Sequence, residues 1–173
     1  MDAEAVLPQR SQQVAQALAA AGATGRIREM PGDVRTAAEA AASLSCEVGA
    51  IANSLIFLSG GSPVLVLASG ARKIDTTALA DRMSWEPLRR ATPDEVREAT
   101  GQVIGGVAPL GHPQALPTVV DSSLQNYLVV WAAGGTPRTL FPTTHDELAR
   151  LSAGTTISRR GTKTAPATSH RAS

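Results

Sequence analysis

The apolar residues of this chain fall in short runs that glycine, proline and small polar residues separate. Residues 48–58 and 63–68 form two such runs around Gly60-Gly61, a spacing that predicts a β-hairpin. Shorter runs predict five more strands, at 25–30, 85–91, 118–120, 127–133 and 139–141.

Helix start signals stand between these strands. Thr36 precedes Glu39 by three residues, and Thr92 is followed by Pro93 and Glu95; both patterns predict a capped helix N-terminus. Asp75 predicts a third cap. The predicted helices are 9–21, 36–44, 76–82, 92–101 and one that begins at Thr143 or Thr144 and runs to 151.

Strands and helices mix irregularly, and hairpins occur beside longer crossovers. This order predicts an α+β fold with a mixed sheet. Residues 1–157 are expected to form a single domain. From Thr155 the composition turns to Ser, Thr, Arg, Gly and Pro, which cannot bury enough apolar surface to order itself, so 158–173 are predicted to be a disordered basic tail.

Composition narrows the function classes. The 173 residues carry a net charge of +1, which argues against sequence-blind coating of nucleic acid, and only 3% are aromatic, so stacking platforms for bases are few. The single cysteine, Cys46, cannot form an internal disulfide, and no Cys/His spacing suggests zinc. Without a signal peptide or a bilayer-length apolar run, the expected location is the cytoplasm. No cofactor, metal, membrane or DNA partner is expected.

The segment 101–113, GQVIGGVAPLGHP, is the strongest candidate for a functional loop. It holds four glycines and two prolines, yet apolar side chains are interleaved among them, unlike in a flexible linker. Adjacent glycines let main-chain N–H groups approach a carbonyl or phosphate oxygen closely. A tight structural turn is the alternative from residue chemistry alone.

The loop and the segments on either side of it resemble the signature of a known family. VREATGQVIGGVAPLGH followed by LPTVVD resembles the central signature of the YbaK-type aminoacyl-tRNA deacylases, free-standing relatives of the editing domain of bacterial prolyl-tRNA synthetases. Gly105 and Pro109 match the ends of the family's G-x-x-x-P loop. The resemblance covers roughly residues 23–154 and implies a compact, partly barrel-like mixed sheet flanked by helices.

The resemblance implies that the loop positions the aminoacyl carbonyl, with the backbone amides of Gly105 and Gly106 as the catalytic groups. Asn53 is the third catalytic candidate. It interrupts an apolar strand, where asparagine is disfavoured, so it is either a satisfied structural residue or a polar group aimed into a pocket. The family usually carries a lysine at this place, so a neutral amide replaces a cation.

Further substrate-binding candidates surround this loop. The resemblance places Asp121 beside the pocket, although it could equally cap the turn at Ser122-Ser123. Gly134 and Gly135 match a turn that closes the pocket in the family, or serve only as hairpin glycines. The remaining candidates are the apolar walls Ile51, Phe57 and Val107, and Pro109 and His112 in the loop.

Two function classes follow. The first is a trans-acting aminoacyl-tRNA deacylase that hydrolyses the ester of a mischarged tRNA, with the aminoacylated tRNA 3′ end as its partner and an aminoacyl-tRNA synthetase as a second candidate partner. The other is a non-catalytic module of the same fold, which binds aminoacyl-tRNA, a synthetase or an amino-acid-like ligand. Asn53 separates them, because the lysine's chemistry is absent from that position.

Overall fold

The computed structural model describes residues 6–158. Five helices and eight strands alternate irregularly along this part of the chain, as the sequence predicts for an α+β fold. In chain order they are α1 (Gln9–Ala20), β1 (Arg28–Glu29), α2 (Ala37–Leu44), β2 (Ile51–Ser59), β3 (Ser62–Ser69), α3 (Thr76–Met83), β4 (Leu88–Arg90), α4 (Pro93–Thr100), β5 (Thr118–Asp121), β6 (Val130–Ala133), β7 (Thr139–Thr143), α5 (His145–Ser152) and β8 (Thr155–Ile157).

All eight strands belong to one mixed sheet in the order β1-β7-β6-β2-β3-β5-β8, with β4 added to β2. The predicted hairpin is its centre: β2 and β3 pair antiparallel from Ala52↔Ser69 to Ser59↔Ser62, around Gly60 and Gly61. Both glycines have positive φ, as a two-residue turn between twisted strands requires. β6 joins β2 in parallel, and β5 joins β3 in parallel.

The predicted caps form. Thr36 and Glu39 make a reciprocal capping box at α2, and Thr92 and Glu95 make another at α4. The Asp75 side chain accepts from the Ala78 N–H at the start of α3. Each cap supplies an acceptor to an amide that has no partner within its helix, and so fixes where the helix begins.

Aliphatic side chains fill the core on both sides of the sheet. Alternate β2 residues face opposite ways: Ala52, Ile56 and Leu58 pack with α1 and with residues 101–112, which we call the glycine loop, whereas Phe57 packs with Leu79 of α3. A smaller cluster joins α2 to Ile51. Few aromatics are needed, because Val, Leu, Ile and Ala interdigitate closely in these layers.

Three sequence expectations need correction. The run at 48–58 opens with a 3₁₀ turn, Val48–Ala50, before β2 begins. The run at 127–133 starts as a strand only at Val130, because a 3₁₀ turn precedes it and Leu128 is 94% exposed. The β8 strand, within the compositional change after Thr155, was not predicted; it pairs in parallel with β5. Apart from Ser158, the predicted tail lies outside the described residues.

Candidate functional site

One edge of the central strand is interrupted. β3 runs along one side of β2, while the other side pairs with β6 at Ile51 and Ala52 and with β4 from Phe57 to Ser59. Between the β6 and β4 pairings, residues 53–55 have no partner strand on this second side. We call this gap in the sheet the notch.

Hydrogen bonds on either side of the notch fix which main-chain groups face it. The Ile51 C=O accepts from the Gly70 N–H at 2.8 Å, on the β3 side, whereas the Ile56 C=O accepts from the Ala91 N–H at 3.1 Å, on the opposite side. Main-chain groups of successive residues in an antiparallel strand point alternately to the two edges. The N–H and C=O of Ser54 therefore face the notch.

A cavity of about 320 Å³ lies over the notch. Its lining comes mainly from β2, from the segment 34–37 that enters α2, from Arg90 at the end of β4 with Ala91 after it, and from the glycine loop, with single residues of α4, β6 and β7. The cavity therefore joins the two parts of the chain that the sequence singles out, the polar interruption of the strand and the loop.

Side chains that flank the loop hold its shape. The Gln102 Oε1 accepts from the Ala108 N–H at 2.8 Å, and the His112 Nε2 donates to the Ala108 C=O at 2.8 Å. The Gly106 N–H donates to the Val103 C=O at 2.9 Å. Ala108 is thus fastened through both of its main-chain groups, which makes the loop a rigid wall.

Two loop amides remain available at the cavity. Gly105 and Val107 both line it, and neither N–H has an acceptor within the part of the chain that the structure describes. Gly105 has φ +89°, a backbone conformation that favours glycine. Two loop residues of the lining therefore have a main-chain N–H without a described acceptor, and a side chain at residue 105 would strain the backbone.

Four of the predicted site residues meet at this cavity: Asn53, Gly105, Ile51 and Val107. Gly106 lies behind the wall. A Cβ there would stand 2.5 Å from the Thr136 carbonyl carbon, so this glycine serves close backbone packing.

The other loop and strand candidates do not line the cavity. Phe57 is buried against α3 and contributes indirectly, because the Arg90 guanidinium lies 5.7 Å above its ring centroid. Pro109 is buried within the loop. His112 is bound to Ala108, and burial lowers its pKa although that hydrogen bond acts in the opposite direction.

Asp121 is also placed away from the cavity lining. It is 2% exposed, and its carboxylate accepts from the Ser69 N–H at 3.0 Å and from the N–H and hydroxyl of Ser123 at 2.9 and 2.7 Å. Gly134 and Gly135 lie in the β6–β7 turn, the former close to Ile27 and Thr139 and the latter close to Val14 of α1. These three residues hold elements together around the site.

Of the polar and charged side chains in the lining, those of Arg35, Thr36, Ser54 and Arg90 were not among the site candidates from the sequence. Ser54 Oγ is buried, and no described residue hydrogen-bonds to it. Successive side chains of a strand point to opposite faces of the sheet, so the sequence already indicates that Arg89 and Arg90 lie on different faces. The Ser54 signal was its place beside Asn53 in the same run, whereas nothing in the sequence points to Arg35.

The two arginines of β4 have different partners. Arg89 binds both carboxylate oxygens of Glu95 at 2.9 and 2.8 Å, and this hydrogen bonding, with that from Thr92, lowers the pKa of Glu95 to about 2. Arg90 has no described carboxylate partner and lines the cavity. Arg35, on the opposite rim, lies 3.1 Å from Asp33.

The cavity lining has cationic and neutral polar groups but no Asp, Glu, His or Cys among the described residues. Cys46 packs against the α2 cluster instead, and burial, followed by the charge of Glu47, raises its pKa. Residues 6–158 hold no cluster of three or more metal-ligating side chains. None of their helices combines the length and the apolarity that crossing a membrane requires.

Comparisons with known proteins find similar chains. A solved structure described as a "putative trans-editing enzyme for prolyl tRNA synthetase" superposes with a TM-score of 0.83 at 42% identity, covering 88% of this chain and 98% of that one. The uncharacterised protein YwhH of Bacillus subtilis is 32% identical over 127 residues, which are 73% of this chain and 80% of YwhH.

The proline–tRNA ligase of Solidesulfovibrio magneticus is 33% identical over 90 residues, 51% of this chain but only 15% of the ligase. The similarity to ligases is thus confined to a small part of their length. The model of the aminoacyl-tRNA editing domain family matches residues 31–151, which include α2, the notch and the whole glycine loop. The chain belongs to the aminoacyl-tRNA editing domain family, on the YbaK-type branch that the loop signature indicates.

Proposed function

We propose that this protein is a trans-acting aminoacyl-tRNA deacylase that hydrolyses the ester of a mischarged tRNA. The observation that carries the proposal is the cavity, whose lining contains Gly105 and Val107, two residues whose amides have no described acceptor, together with the unpaired edge of β2. The 98% coverage of a similar chain described as a trans-editing enzyme supports action on a separate synthetase's product.

The two loop amides hold the carbonyl oxygen of the aminoacyl ester. Negative charge develops on this oxygen when water attacks the acyl carbon, and pre-aimed N–H donors stabilise it at little reorganisation cost. The acyl–oxygen bond then breaks, and the ribose oxygen leaves with a proton. Val107 takes the role expected for Gly106, whose N–H is bound to Val103.

Water is the nucleophile in this scheme. Ser54 is the one hydroxyl of the described lining without a protein partner, and activation of a serine needs a base within hydrogen-bond reach. The described lining contains no histidine or carboxylate to act as that base. The proton of the attacking water therefore passes to the substrate or to solvent.

Arginine side chains supply the positive charge that Asn53 does not. Arg90 pairs with Phe57 in register and so lies on the same sheet face as Asn53, while Arg35 stands across the cavity. Guanidinium groups bind phosphate oxygens through paired N–H donors. These two residues contact the phosphates of the tRNA acceptor end, and Asn53 orients the terminal adenosine or the ester.

Cavity size limits the amino acid that enters. Ile51, Val107, Ala37 and Ala40 are aliphatic walls of a space of about 320 Å³. An added methylene changes discrimination by only about 1–3 kcal/mol, so the walls select a size class and do not alone select one amino acid.

The test is single-turnover deacylation of tRNAs charged with small and medium amino acids, using wild type, Asn53→Ala and Asn53→Lys. We expect wild-type turnover, and a loss of about ten- to a hundredfold in Asn53→Ala, because an orienting hydrogen bond is removed. Asn53→Lys should preserve activity or shift the amino-acid preference. Turnover indifferent to both changes would remove Asn53 from the site.

The second candidate is a binding module without turnover. The neutral Asn53 and the absence of an acid or base in the described lining favour it. The two candidates differ in one measurement: a binding module retains charged tRNA and releases no amino acid from any member of the panel.

A further inference from the structure

Ser54 combines three polar groups that lack a partner among residues 6–158. Its N–H and C=O face the notch, where no strand lies beside β2, and its Oγ is buried without a hydrogen bond. Buried polar atoms in proteins are nearly always paired, so such a group in a cavity indicates a ligand that completes it. The neighbouring buried serine, Ser69, illustrates the usual case: its Oγ donates to the Gly49 C=O at 2.8 Å.

The surroundings decide what this ligand group is. The described lining contains two arginines and no carboxylate, so it favours the neutral form of an amine over the ammonium. A neutral amine still donates two hydrogen bonds. Of the oxygen acceptors in the lining, Thr36 Oγ1 is already bound to Glu39, and the Asn53 side chain leaves the opposite face of β2 from that of Ser54.

We propose that Ser54 binds the α-amine of the aminoacyl group through its C=O and Oγ, and so fixes the acyl carbon beside the loop amides. This inference rests on the proposed function, because it assumes that the cavity holds an aminoacyl ester. It assigns Ser54 a substrate-binding role that does not require it to react. Specificity for α-amino acids over other acyl groups then comes from the notch, whereas size selection comes from the aliphatic walls.

Binding is measured by calorimetry with 3′-aminoacylamino-3′-deoxyadenosines, in which an amide replaces the ester, carrying small and medium side chains. Each is used with a free and with an N-acetylated α-amine. We expect Ser54→Ala to weaken binding of the free-amine compounds about tenfold, because one hydrogen bond is lost. We expect Ser54→Ala and wild type to bind the acetylated compounds alike, within about twofold, because the two changes remove the same contact.

Thermal unfolding of Ser54→Ala and Ser69→Ala separates binding from structure. Ser54→Ala removes an oxygen that the fold leaves unpaired, so its Tm should equal or exceed that of wild type. Ser69→Ala removes a satisfied hydrogen bond of a buried serine on the same hairpin and should lower the Tm. A comparable fall in both variants would make Ser54 structural and overturn the proposal.

Other outcomes also decide. Equal affinity of wild type and Ser54→Ala for the free-amine compounds, an equal loss on both compound sets, or no binding by wild type would each overturn the proposal. Ser54-dependent binding without deacylation of any charged tRNA would overturn the proposed hydrolysis and leave the amine site standing. Deacylation by wild type, together with binding that does not depend on Ser54, would overturn the amine site and leave the proposed hydrolysis standing.

Discussion

Two groups of polar atoms lie beside the central hairpin, and they differ in how many of them have a hydrogen-bond partner. In the first, which we call the Asp121 cluster, Ser69, Asp121 and Ser123 satisfy one another through three hydrogen bonds of 2.7–3.0 Å. In the second, at the notch, the Ser54 Oγ and the amides of Gly105 and Val107 have no acceptor or donor among the described residues. Both lie within one small domain, yet the described lining of the 320 Å³ cavity includes Ser54, Gly105 and Val107 and none of the Asp121 cluster.

The difference shows how structural and functional polar groups can be separated without knowing the ligand. A satisfied cluster stabilises the fold, because losing one member leaves others buried and unpaired. An unsatisfied group costs stability, and a protein retains it where a ligand supplies the missing partner. Substitutions should therefore affect stability at the Asp121 cluster and binding or rate at the notch.

The largest expected effect is on the loop amides. Gly105→Ala places a Cβ 3.3 Å from the Arg35 Cα and strains a backbone at φ +89°, which displaces the N–H donors. We expect single-turnover deacylation to fall about 10²–10³-fold, as for loss of one oxyanion donor. The fold should survive, because a shift of a few tenths of an ångström at the largely exposed residue 35 relieves the contact.

Gly106→Ala is the matched control one residue away. Its Cβ would stand 2.5 Å from the Thr136 backbone, so the expected result is lower stability in thermal unfolding. Full activity of well-folded Gly105→Ala protein would contradict the amide mechanism.

The next largest effect belongs to the Asp121 cluster. Asp121→Ala leaves three buried donors without an acceptor and should lower the free energy of unfolding by about 2–3 kcal/mol, measured by urea denaturation. Asp121→Asn keeps one acceptor oxygen and should lose less. The deacylation rate per folded molecule should stay near that of wild type in both variants. A fall in rate larger than the unfolded fraction explains would show that Asp121 takes part in substrate binding.

Most of the fold was predictable because local signals agree with it. The capping boxes at Thr36 and Thr92 and the Gly60-Gly61 hairpin depend on residues within a few positions of one another. The strand β8 was not predictable in this way. Its first two residues are half-buried threonines and only the third, Ile157, is a buried apolar residue. The segment forms a strand because it pairs in parallel with the edge of β5.

The candidate site was predictable only where one segment carries the signal. Gly105 and Asn53 stand out in their own runs, and both line the cavity. Arg35 reaches it because α2 packs against the start of β2, a contact between distant parts of the sequence. The main-chain groups of Ser54 lack a partner because the pairings of β4 and β6 with β2 both stop short of this residue. No local sequence pattern predicts where those pairings end.

A smaller effect should separate the two arginines of β4. Arg90→Ala removes a cavity cation and should weaken tRNA binding about three- to tenfold at low salt. The negative slope of log affinity against log salt should become shallower by about 0.7–0.9, because one phosphate contact is lost. Arg89→Ala, whose guanidinium is bound to Glu95, should leave that slope unchanged; equal slopes in both variants would show that Arg90 contacts no phosphate.

The smallest effect concerns His112, which fastens the loop without lining the cavity. Burial lowers its pKa below the usual 6.5, so the folded state favours the neutral ring, which donates from Nε2 to Ala108. The unfolded chain then binds more protons, and the His112 contribution to stability is present above about pH 6.5 and lost as pH falls toward the lower folded pKa. His112→Gln keeps a donor but does not titrate. We expect urea denaturation between pH 7.5 and 5 to show a smaller loss of stability in this variant than in wild type; parallel curves would contradict the assignment.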